Sequence, residues 1–93
     1  VNVAIEIAFS FKHALGDDYH KLELPECATV HDALAYLGKR YDVFHERVFN
    51  EIGEIRRNIN ALVNGVNVQF REGFDTILTD GDRLTVLPPV GGG

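Results

Sequence analysis

Over residues 1–9 the apolar side chains fall on every second position: Val1, Val3, Ile5, Ile7 and Phe9 share one side, Asn2, Ala4, Glu6 and Ala8 the other. That period belongs to a strand with one buried face, so the chain must supply a second layer to cover it. Residues 19–24 alternate again, placing His20, Leu22 and Leu24 together, and the stretch between carries Gly16 and two acids, as a loop does. The two runs predict a hairpin with a long loop. The cover follows. Val30, Ala33, Leu34, Leu37 and Tyr41 keep helical spacing on one stripe, and Thr29 with Asp32 forms a capping-box pattern that starts a helix at Val30. Lys39 and Arg40 fall in its last turn, where cations complement the helix dipole.

Residues 42–58 scatter Val43, Phe44, Val48, Phe49, Ile52 and Ile55 among charges, a pattern read as a short helical turn and then a small ribbon around Gly53. Residues 59–63 form a short apolar strand. Asn64-Gly65 suits a tight hairpin turn, which predicts a second hairpin through residues 66–70. Residues 73–78 read as a loop or 3₁₀ segment, Asp80-Gly81-Asp82 as a turn, and residues 83–87 as a last alternating strand closed by Pro88. Ninety-three residues make one domain. The reading is therefore an α+β domain over residues 1–87, one main helix packed across a sheet, followed by an exposed, flexible tail over residues 88–93.

Nine Lys and Arg oppose 14 Asp and Glu, so the net charge of -5 argues against nucleic acid or anionic lipid as partner. No run approaches the roughly 18 apolar residues of a membrane span. The single cysteine, Cys27, cannot pair internally or complete a zinc or iron–sulfur set, which fits a cytoplasmic setting; its expected place is that of a small buried hydrophobe. His13, His20, His31 and His45 lack metal-ligand spacing and read as surface residues. Asp17, Asp18, Asp80 and Asp82 read as loop and turn residues. No nucleophile, base and oxyanion-donor set assembles from these residues, so no autonomous active site, no metal and no permanently bound cofactor are expected. With no self-pairing stripe in view, the expected free state is a monomer.

The unusual chemistry lies in Pro88-Pro89-Val90-Gly91-Gly92-Gly93. The proline pair stops a sheet ladder and stiffens the chain, and glycines without side chains pass through narrow channels. A carboxylate at Gly93 is inert in water, but another enzyme can join it to AMP and make it an acyl donor.

The ordered set Ala28-Thr29-Val30-His31-Asp32-Ala33-Leu34, Ile59-Asn60-Ala61-Leu62-Val63-Asn64-Gly65, residues 76–82 and the Pro-Pro-Val-Gly-Gly-Gly end resembles the MoaD-like small subunit of molybdopterin synthase, a ubiquitin-like sulfur carrier. The resemblance implies the β-grasp fold, with a mixed sheet whose first and last strands sit side by side in the middle. It also implies an ATP-dependent adenylating enzyme of the ubiquitin-activating type as partner, a thiocarboxylate formed on Gly93, and insertion of the tail into the synthase large subunit. There the sulfur builds the dithiolene of the molybdenum or tungsten pterin cofactor. Ala8 stands where the family often has a docking aromatic, and Lys12 where it often has a basic residue. Archaeal small modifiers resemble the chain nearly as well, and for them Gly93 would acylate lysines; thiamine-type carriers and a plain β-grasp interaction module complete the alternatives.

Overall fold

A computed structural model describes residues 1–8 and 20–87. Strands β1 (Asn2–Ile7), β2 (Lys21–Glu23), β3 (Asn60–Val63), β4 (Val66–Asn67) and β5 (Arg83–Leu87) form one sheet in the order β2-β1-β5-β3-β4. β1 runs antiparallel to β2 and parallel to β5, and β5 runs antiparallel to β3, so the first and last strands meet in the middle of a mixed sheet. This is the β-grasp arrangement expected from the resemblance. The register places Ile5 opposite Leu84 and Ile7 opposite Val86, while Ala61 and Val63 face Val86 and Leu84 from β3. All six lie on one buried face.

Helix α1 (Val30–Arg40) covers that face with Val30, Ala33, Leu34 and Leu37, all fully buried. Its start is the expected capping box: the Asp32 amide donates to Thr29 Oγ1 at 3.2 Å and the Thr29 amide to Asp32 Oδ2 at 2.9 Å. Tyr41, which the helical stripe would have continued through, instead adopts an extended conformation and breaks the helix.

A second, shorter helix, α2 (Asp42–Val48), follows at once where the sequence reads as a short helical turn, beside the main helix α1. Phe44 and Val48 are its buried anchors. Gly38 permits the close approach: a Cβ there would stand 3.3 Å from the Phe49 ring and 3.4 Å from His45. Beyond α2, Phe49 pairs with Ile55 across the small ribbon around Gly53, as the sequence implies.

Two expectations fail for local reasons. The predicted strand over residues 66–70 stops at Asn67, because the Asn67 side chain accepts from the Gln69 amide at 2.8 Å and turns Val68–Phe70 into a 3₁₀ helix. A side chain that offers the backbone such a bond competes with the sheet ladder. Cys27, expected to be buried, is exposed in the turn after Pro25, with φ of +66°. Leu22 and Leu24 enter the core together, but His20 on the same predicted side is exposed. Among the described residues no helix is long and apolar enough to cross a membrane.

Candidate functional site

The alternation that buries one side of β1, β5 and β3 leaves the other side open. Asn2, Glu6 and Ala8 are exposed and Ala4 half-buried on β1 and just beyond it; β5 adds Arg83, Thr85 and Leu87, and β3 adds Asn60 and Leu62. The pairing sets them in rows, with Ala4 beside Arg83, Glu6 beside Thr85 and Leu62, and Leu87 beside Asn60.

The rows matter because β5 is the central strand and Leu87 its last residue. The Ala8 amide donates to Val86 O at 3.0 Å, and Asn60 pairs with Leu87 from the other side. The described part of β5 therefore ends at Leu87 in the middle of the sheet, between Ala8 and Asn60, rather than at an edge. Of the site residues picked out from sequence, the structure brings Ala8 to this exit point. Lys12, Pro88, Pro89, Val90, Gly91, Gly92 and Gly93 lie outside the described residues.

At the opposite end of the same strand the chain is fastened by a polar knot. Asp82 Oδ2 accepts from the Thr79 amide and its Oδ1 from Asn64 Nδ2, both at 2.8 Å, while Asn64 Oδ1 accepts from the Arg83 amide at 3.0 Å. Burial pushes the Asp82 carboxyl up, but the hydrogen bonds from Thr79 and Asn64 and the charge of Arg71 outweigh it and hold the group below its ordinary value. Asn64 does this from the β3–β4 turn, where it and Gly65 both take the positive φ angles the sequence implies. The knot ties that turn to the start of β5, so the strand enters the sheet in a fixed register.

On the open face between knot and exit, Arg83 Nη1 stands 3.5 Å from Glu6 Oε2, both side chains more than half exposed. A depression of about 260 Å³ lies there, lined by Ala4, Ile5, Glu6, His20 and Arg83. Glu6, Thr85, Leu62 and Arg83 were not singled out from sequence, although they occupy the polar half of strands whose apolar half was plain. The signal was the alternation itself. Among the described residues no three His, Cys, Asp or Glu side chains are placed to hold a metal ion.

A model of the ThiS family matches residues 11–93. Small archaeal modifier protein 3 of Haloferax volcanii is 35% identical over 91 residues, covering 96% of this chain and 98% of the relative. The sulfur carrier protein CysO of Mycobacterium tuberculosis is 34% identical over 67 residues, 70% of this chain and 72% of the relative. Among solved structures, a Pyrococcus furiosus protein provisionally described as molybdopterin converting factor subunit 1 superposes with a TM-score of 0.74 at 35% identity, covering 97% of this chain and 99% of its own.

Proposed function

The chain belongs to the ThiS family of ubiquitin-like sulfur carriers, and from that premise we propose that it carries sulfur as a thiocarboxylate on Gly93 and delivers it in the synthesis of the molybdenum or tungsten pterin cofactor. The observation that carries this reading is the position of β5: the central strand leads the chain out at Leu87, beside Ala8 and a shallow open face, into the sequence Pro-Pro-Val-Gly-Gly-Gly. An adenylating partner uses ATP to place AMP on the Gly93 carboxylate and releases pyrophosphate. Sulfur at the oxidation level of sulfide then displaces AMP, leaving the thiocarboxylate. Every reacting group other than the Gly93 carboxylate comes from the partners, so this chain's own part is presentation. The open face bears against the partner while Gly91 and Gly92 traverse its channel. The similarity to the Pyrococcus protein supports the synthase large subunit as the acceptor of the sulfur.

The near full-length similarity to small archaeal modifier protein 3 favours a second reading, in which a lysine amine attacks the same acyl adenylate and an isopeptide bond results. Intact-protein mass spectrometry after incubation with host lysate, ATP and a sulfide source tests the first reading. The expected mass gain is that of one oxygen replaced by sulfur, lost when Gly93 is deleted. An unchanged mass in the presence of a demonstrably active adenylating enzyme overturns it, and a ladder of conjugates that needs Gly92 and Gly93 assigns the chain to the second.

A further inference from the structure

The register places Lys21 of β2 and Arg83 of β5 directly opposite Ala4, one on each side of β1. Leu22 and Leu84 are buried in the core, so the exposed Lys21 and Arg83 share the open face with Ala4. Neighbouring strands lie about 4.8 Å apart, which sets the two cationic residues about 10 Å apart at the backbone with only a methyl group between them. Ala4 and Arg83 also line the depression of about 260 Å³ on this face, together with Ile5, Glu6 and His20. Of the nearby carboxylates, Glu6 stands one row nearer Leu87 and meets Arg83 at 3.5 Å, while Glu23 stands one row further off, opposite Asn2. The Glu6–Arg83 pair is more than half exposed on both sides, and such a pair opens at little cost. Two cations thus flank a hollow with one carboxylate at its rim, on a chain whose net charge is -5.

We propose that this row is the electrostatic anchor for the adenylating enzyme, an inference that rests on the reading of Gly93 as the adenylated end. A carboxylate side chain of the enzyme enters the hollow above Ala4, where Lys21 and Arg83 hold it from either side and Arg83 exchanges Glu6 for it. Charge complementarity selects an acidic group, because the rest of the chain repels one. The anchor stands four residues, about 13 Å, from Leu87 on the same strand, so β5 itself fixes the distance between the held carboxylate and the end of the sheet. Both fates of the acyl adenylate need this enzyme, whereas the acceptor differs between them.

ATP–pyrophosphate exchange by the host's adenylating enzyme, with the full chain as substrate, reads the anchor as KM. Lys21→Gln and Arg83→Gln are each expected to raise KM about 3- to 10-fold, and Glu6→Gln to lower it about twofold by releasing Arg83 and removing a like charge. Ala4→Leu, which fills the hollow without changing charge, is expected to raise KM about tenfold. The effects of the two glutamine variants at Lys21 and Arg83 should shrink above about 0.5 M salt, where charges are screened, and that of Ala4→Leu should not. Wild-type exchange with unchanged KM in Lys21→Gln and Arg83→Gln overturns the anchor and leaves the reading of Gly93 standing. So does a Glu6→Gln variant with raised KM, or a loss in the cation variants that salt does not reduce. Normal adenylation of those variants with loss of the later sulfur transfer would assign the row to the sulfur acceptor and overturn the anchor equally. Absence of wild-type exchange with a demonstrably active enzyme removes the reading of Gly93 and the anchor with it.

Discussion

The two faces of the central strands are made from alternate residues of the same sequence, and they obey different rules. On the covered face Ile5, Ile7, Leu84 and Val86 interlock with the helices and are at most 3% exposed. On the open face Ala4, Thr85, Leu62 and Leu87 are only half-buried, and Glu6 and Arg83 are exposed and lightly paired, so no side chain there is packed as those of the core are. One face determines whether the chain folds; the other is free to be shaped by what it meets. The difference teaches that partner choice in such a domain can change without cost to the core.

The sharpest way to break that comparison is at the chain end. Deletion of Gly93 is expected to abolish thiocarboxylate formation while leaving the melting temperature unchanged, and Gly92→Val to stop adenylation by steric block with the fold equally intact; normal turnover of the valine variant would sink the channel argument. On the covered face, Leu84→Ala is expected to lower unfolding stability by about 2–5 kcal/mol, read by urea denaturation, because a fully buried side chain leaves both lost transfer energy and a cavity. At the edge of the helical layer, Thr29→Ala removes one half of the capping box and is expected to cost about 1 kcal/mol.

The polar knot supplies a pH test. Asp82 has a folded value held below its ordinary one, so the stability it contributes is fully present above the unfolded carboxylate value of about 4 and is lost as pH falls through the lower folded value. Asp82→Asn is expected to flatten that acid limb of the melting-temperature profile, and an identical limb in the variant would remove Asp82 from the account. The smallest effect belongs to the open face: breaking the Arg83–Glu6 pair with Glu6→Gln is expected to change stability by less than about 0.5 kcal/mol. A larger loss would show that the open face is not independent of the core.

Much of this was legible in the residues. The helix start at Val30 was readable because the signal is local: Thr29 and Asp32 satisfy each other's amides across one turn, whatever lies beyond. Residues 66–70 misled because Val66, Val68 and Phe70 alternate like a strand while Asn67 offers a competing bond, and periodicity does not weigh one against the other. Cys27 misled for a similar reason, since composition speaks of its apolar sulfur and not of the turn after Pro25 that holds it out. The place of Ala8 became clear only when the parallel pairing set it beside Val86.

What the sequence determined by itself was whatever acts within a few residues: strand and helix periods, the capping box and the Asn-Gly turn. Tertiary structure alone decided which strands became neighbours and that Leu87 ends a central strand of the sheet. Those depend on contacts between residues far apart in the chain, such as Ile7 with Val86 and Asn64 with Asp82. Their energies exist only after the chain has closed the loops between them, so no local pattern records them.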